Sequence, residues 1–177
     1  DTTAATTTKN AELGYYVDRT GASAQTAASA GFYVNTSAAS SQTAAGLGYY
    51  VPITGASSRT AAEVGYYVDA SAASSQTAAG PGYFVPTAAA TNRRAAEAGY
   101  YVNASAASSQ TAAGLGYFVP ITGASSQTAA TAGYFVNTLA ASSQTPASQG
   151  YFVAGTGATV AQQAAAGYYV ATTGASS

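Results

Sequence analysis

Apolar and polar positions recur along this chain on a fixed frame of 17 residues. A glycine followed by two aromatics and a valine begins at Gly14, Gly31, Gly48, Gly65, Gly82, Gly99, Gly116, Gly133, Gly150 and Gly167, with no insertion or deletion between them. Counted from that glycine as position one, all 20 aromatics fall at positions two and three. Position four is valine and position nine alanine in all ten repeats. Such invariance inside one chain reports a shared local geometry. The first residues keep the frame: Asp1 falls at position five, as Asp18 and Asp69 do, and Glu12 at sixteen, as Glu63 and Glu97 do. The organisation is therefore one continuous array over 1–177. It comprises a partial repeat 1–13, repeats starting at 14, 31, 48, 65, 82, 99, 116, 133 and 150, and a partial repeat 167–177. Starting and stopping in mid-repeat, it reads as a processed product or a window of a longer array.

Within each repeat, Gly-aromatic-aromatic-Val is strand-forming chemistry, because aromatic and β-branched side chains fit a pleated surface. Position five is Pro, Asp or Asn in most repeats and position eight often Gly, which end the strand in a turn. The Ala-Ser-Ser-Gln-Thr stretch that follows, for example 124–128, predicts a second extended segment. A helix there is disfavoured by its shortness and its Ser and Thr content. These elements predict an all-β fold, a single β-solenoid of the parallel β-helix type with about ten coils of 17 residues. One such repeat carries too little apolar surface to offset the ordering of its backbone, so stability must come from neighbours. A weaker alternation, with Pro-Ile-Thr-Gly after the valines of repeats 48 and 116, leaves a 34-residue coil as the alternative.

Parallel in-register stacking would pile like residues into ladders at about 4.8 Å spacing. The expected assembly column is position three: Tyr16, Tyr33, Tyr50, Tyr67, Phe84, Tyr101, Phe118, Phe135, Phe152 and Tyr169. It tolerates Phe for Tyr, which favours placing it outside, with position two inside beside valine four and its hydroxyl bonded to Ser or Gln. The opposite assignment stays open, since tolerance of Phe also fits burial.

Composition narrows the chemistry. Alanine supplies 46 residues, while Phe, Ile, Leu and Val together supply 23, and charged residues are 6%. Five basic side chains against six acidic ones cannot build a phosphate-neutralising surface, so no nucleic-acid partner is expected. No run of 18 apolar residues predicts membrane insertion. The sequence lacks Cys and His, so no metal site, cofactor or cysteine nucleophile is expected. Glu12, Glu63 and Glu97, with Lys9, Arg59, Arg93 and Arg94 three or four residues before them, read as solvated turns with local ion pairs. Glu63 and Glu97 lie two repeats apart, too far to act as an acid–base pair. The chain is expected not to be an enzyme. Asn35-Thr36-Ser37 and Asn103-Ala104-Ser105 match the glycan acceptor pattern, making Asn35 and Asn103 candidate glycan sites.

The run Gly-Tyr-Phe-Val-Pro-Ile-Thr-Gly-Ala-Ser-Ser-Gln-Thr at 116–128 resembles the Cys-rich ephrin-receptor-like repeats of secreted proteins. Gln or Ala stands in the region of their cysteines, so the disulfide-built fold does not carry over. The resemblance implies an extracellular or cell-surface setting. The function expected is structural: a tandem-repeat filament, sheath or surface fibre that self-associates end to end or laterally. The alternatives are an ice-binding or other surface-binding β-solenoid, suggested by the threonines at position thirteen, and an adhesin stalk.

Overall fold

The computed structural model describes residues 8–177. They form two compact units, the first running through Thr77 and including Thr87–Asn92, the second Ala78–Pro86 with Arg93–Ser177. Each unit is built from the same elements. The protein is all-β: among the described residues there is no helix, and the regular structure is a series of strands two residues long.

The strands pair antiparallel within a repeat. In the first unit Tyr15–Tyr16 pairs with Thr26–Ala27, with Tyr15 opposite Ala27 and Tyr16 opposite Thr26. In the second, Tyr100–Tyr101 pairs with Thr111–Ala112 in the same register. Positions two and three thus face fourteen and thirteen of their own repeat. This corrects the expected parallel, β-helix-like pairing: the hydrogen-bonded neighbour of a strand is the other strand of its repeat, and the sheets are two-stranded. The physical reason is that the chain reverses twice in every repeat, and antiparallel strands need only a short connection whereas parallel ones need a crossover.

Both reversals depend on backbone with positive φ. The N–H of position two donates to the carbonyl of position sixteen three residues earlier, as in Tyr15 to Glu12 (3.0 Å). The glycine between them has φ near +85°, as at Gly14. A glycine with φ > 0 at the third place of such a turn is the signature of type II, and Pro81 stands at the second place of one, where proline is favoured. The other reversal passes through position eight. There Gly21, Gly55, Gly123, Gly157 and Gly174 have φ of 69–71°, and Ala38, Ala72, Ala89, Ala106 and Ala140 have φ of 54–57°. Gly and Ala, the two residues found at this position, are therefore both small enough for one conformation. The hydrogen bonds recur every 17 residues, not 34.

The backbone hydrogen bonds between repeats are isolated bonds, not ladders. Gly14 N–H donates to the Val34 carbonyl (2.8 Å) and Val17 N–H to the Ala39 carbonyl (3.0 Å), both one repeat on. The N–H of position eight donates to the carbonyl of position fifteen two repeats back, as in Gly55 to Ala28 (2.7 Å) and Ala106 to Ala79 (2.7 Å). The same set recurs in each unit: Gly99 to Val119, Val102 to Ala124 and Gly123 to Ala96.

The core consists of the valines at position four and the alanines at fifteen, from Val34 to Val153 and Ala28 to Ala147, at most 3% exposed. Most of these residues have both backbone groups paired. Val34 donates to Ala56 and accepts from Gly14; Ala28 donates to Gly14 and accepts from Gly55. Burial of a backbone without partners would cost about 1–3 kcal/mol per group. Valine four and alanine fifteen are inside, as their residue chemistry predicts, whereas the alanine of position nine, small and invariant and expected beside them, is only half-buried. The aromatics are not divided into an inner and an outer column, since in most repeats positions two and three are both half-buried.

The glycine of position one is held by a second constraint. A Cβ on Gly99 would run into the carbonyl oxygen of Ala140, two repeats on, and one on Gly14 into that of Gly55. Gly99→Ala is therefore expected to cost at least about 2 kcal/mol, from left-handed strain plus the clash. Ala106→Gly, where the same region is occupied without a clash requirement, should leave stability unchanged or raise it by up to about 1 kcal/mol. Urea unfolding followed by circular dichroism checks both.

Candidate functional site

The chemically distinctive places in the molecule are the seams between successive repeats. Position twelve of the later repeat extends its side chain back to position sixteen of the earlier one. In the first unit the Gln25 Oε1 accepts from the Glu12 N–H (2.9 Å), Gln42 from Ser29 (2.8 Å) and Gln76 from Glu63 (2.8 Å). In the second, Gln110 accepts from Glu97, Gln127 from Gly114 and Gln144 from Thr131, each at 2.8 Å. Position sixteen opens the type II turn, so each glutamine satisfies a turn N–H that has no partner in its own repeat.

The other end of the carboxamide uses whatever position sixteen offers. Gln25 and Gln76 donate from Nε2 to the Glu12 and Glu63 carboxylates (3.3 and 3.4 Å). Gln144 donates from Nε2 to the Thr131 hydroxyl (3.0 Å). These carboxylates are thus held by amides of the next repeat, which corrects the expected pairing with a cation three or four residues earlier in the chain.

Two seams carry arginine instead. The guanidinium of Arg59 lies over the Tyr49 ring and that of Arg93 over Tyr83, each 3.8 Å from the ring centre. Such a stack is worth about 0.5–1 kcal/mol at an exposed site. Position sixteen ahead of each is glycine, Gly46 and Gly80. A Cβ on Gly46 would come within 3.1 Å of an Arg59 guanidinium nitrogen. The small residue makes room for the larger, planar group.

The position-three residues do not meet as cross-strand neighbours. Each pairs within its repeat: Tyr16 with Thr26, Tyr33 with Thr43, Tyr50 with Thr60, Phe84 with Arg94, Tyr101 with Thr111, Phe118 with Thr128, Phe135 with Thr145 and Phe152 with Gln162. Tyr67 lies half-buried on the strand Tyr66–Tyr67, and Tyr169 is 88% exposed. The threonines of position thirteen, from Thr26 to Thr145, are exposed. Asn35 and Asn103 are exposed at position five, and so are Ser37 and Ser105 two residues on.

Among the described residues no three carboxylates lie close enough to hold a metal ion, and no helix is long and apolar enough to cross a membrane. The chain matches no family model, and no curated protein is similar to it.

The glutamine seam was not anticipated from the sequence, although a signal existed. Glutamine fills position twelve in six repeats, and the two arginines there each follow a repeat with glycine at sixteen. Gln110→Ala should cost about 1 kcal/mol, the net worth of an ordinary hydrogen bond. Arg59→Gln should be neutral within about 0.5 kcal/mol, because glutamine can take the Gly46 N–H, whereas Arg59→Ala loses about 0.5–1 kcal/mol. Chemical denaturation of the three variants beside the parent protein measures these differences.

Proposed function

We propose that the chain is a non-enzymatic structural repeat protein that forms or stiffens an extracellular or cell-surface filament, sheath or fibre. The observation that carries this reading is the bonding of each repeat to both the next and the next but one through the same backbone pairs. Bending or stretching such a unit at any seam strains two sets of bonds rather than one. Within each unit the proposal includes a solenoid-like succession of repeats, built on these bonds in place of parallel ladders.

Self-association is the second part of the proposal. Apolar side chains recur on the surface at position seventeen, where Leu13, Leu47, Val64 and Leu115 are 46–55% exposed. Ile53 and Ile121 at position six are exposed as well. A net charge of −1 gives copies little mutual repulsion. Recurrence of a large apolar residue at this position in several repeats suits lateral contact between copies, because those seams offer like patches. Asn35 and Asn103, in exposed turns, are the places where a glycan would sit on such a fibre. The resemblance to ephrin-receptor-like repeats supports the extracellular setting.

The surface-binding alternative draws on the exposed threonines of position thirteen. Arg94 and Gln162 interrupt that column, and each threonine faces an aromatic across its hairpin, so the structural reading is preferred.

Negative-stain microscopy and sedimentation over a rising concentration series test the proposal. Filaments or laterally associated arrays are expected, with Leu47→Lys and Leu115→Lys reducing the lateral association. Dispersed particles of monomer mass across the whole series would contradict it.

A further inference from the structure

One seam of the second unit lacks its own side chain. In the repeat beginning at Gly150, position twelve is Ala161, and glutamine stands instead at the next two positions, Gln162 and Gln163 on the strand. Alanine cannot reach the Ser148 N–H, the counterpart of the turn N–H that glutamine binds in six other seams. What remains is a notch of about 280 Å³ lined by Phe135, Ser148, Tyr151, Val160 and Ala161.

We propose that this notch binds a primary carboxamide, the group borne by a glutamine side chain of a partner polypeptide. The sister seams display the complementary chemistry within the chain itself. The preceding seam is the nearest analogue in this unit, since its position sixteen also carries a hydroxyl. There the Gln144 Oε1 accepts from the Thr131 N–H (2.8 Å) and lies 3.3 Å from the Thr131 Oγ1, while its Nε2 donates to that Oγ1 (3.0 Å). At the serine seam of the first unit, Gln42 takes the Ser29 N–H alone. Ser148 presents the same pair, an N–H and a hydroxyl oxygen. At two further seams a planar guanidinium rests on the position-two ring, so that ring surface accepts a flat polar group. Tyr151 supplies this surface in the notch, and Phe135 and Val160 supply apolar walls for the methylene stem.

The two-point contact selects among amides. A primary amide has one N–H on the same side as its carbonyl oxygen, so a single edge both accepts and donates. A trans secondary amide points its N–H away from the oxygen, so it binds only through that oxygen, accepting from the Ser148 N–H and O–H, and leaves its own donor unused. A carboxylate likewise offers acceptors alone, and stripping its charge of water costs more than desolvating a neutral amide. The notch therefore favours a glutamine side chain over a peptide bond or an N-acetyl group. This inference rests on the geometry of one seam and is independent of whether copies assemble into fibres.

The test uses the full chain labelled with ¹⁵N and propionamide as the probe, with N-methylpropionamide in parallel. Propionamide should shift the Ser148 amide and the Phe135 and Tyr151 ring resonances saturably, in the millimolar range expected for so small a ligand. N-methylpropionamide should bind several-fold more weakly. Ala161→Gln, which restores the sister-seam residue, should abolish the response by filling the notch. Ser148→Ala, which keeps the N–H and removes the hydroxyl, should weaken it several-fold and narrow the difference between the probes. Equal responses to both probes, an unaltered response in Ala161→Gln, or no saturable shift at Ser148 would each overturn the proposal.

Discussion

A backbone that leaves water must find hydrogen-bond partners, and strands two residues long cannot supply them from their own ladder. This chain resolves the shortage by exporting the need to its neighbours. Position one donates to the next repeat, position four donates to the next repeat, and position fifteen accepts from the repeat after that. The buried valine and alanine are the residues through which these bonds pass. Packing and hydrogen bonding are thus not separate contributions here: the same two residues per repeat carry both.

Two consequences follow for the physics of the array. In most tandem-repeat proteins each unit interacts with its immediate neighbours, so stability is close to a sum of repeat and interface contributions. Within each unit of this protein the coupling reaches one repeat further, through position eight. The tight approach that makes this reach achievable is visible at the glycine of position one, whose missing Cβ leaves space for a carbonyl two repeats away. The side-chain seams add a second layer of coupling at the surface. They accept glutamine, which takes the turn N–H, or arginine, which stacks on the position-two ring.

Much of this was legible in the sequence. The 17-residue frame, the all-β character, the turn at position five and the burial of valine four and alanine fifteen follow from periodicity and residue chemistry. The pairing mode was not. A run such as Gly-Tyr-Tyr-Val reads equally well as a rung of a parallel coil or as half of a hairpin, and invariance of aromatics suggests stacking under either arrangement. What decides is the left-handed backbone at position eight. Five of the ten repeats place alanine there, a residue that does not advertise positive φ, so the second reversal was hidden. The seam glutamines are not legible from the pattern of charged residues, because their partner at position sixteen is a backbone N–H, present whatever residue stands there.

Hydrogen exchange resolved to single amides tests the coupling between repeats most directly. Across the interior repeats of each unit, the amides of positions one, four, eight and fifteen should be protected to a similar degree, while those in the turns at five to seven and at ten and eleven exchange freely. The decisive amides are Gly99, Val102, Ala106 and Gly123, whose acceptors all lie in other repeats. Protection confined to the hairpin positions, with these four amides exchanging as fast as the turns, would mean that each repeat stands alone and would contradict the account.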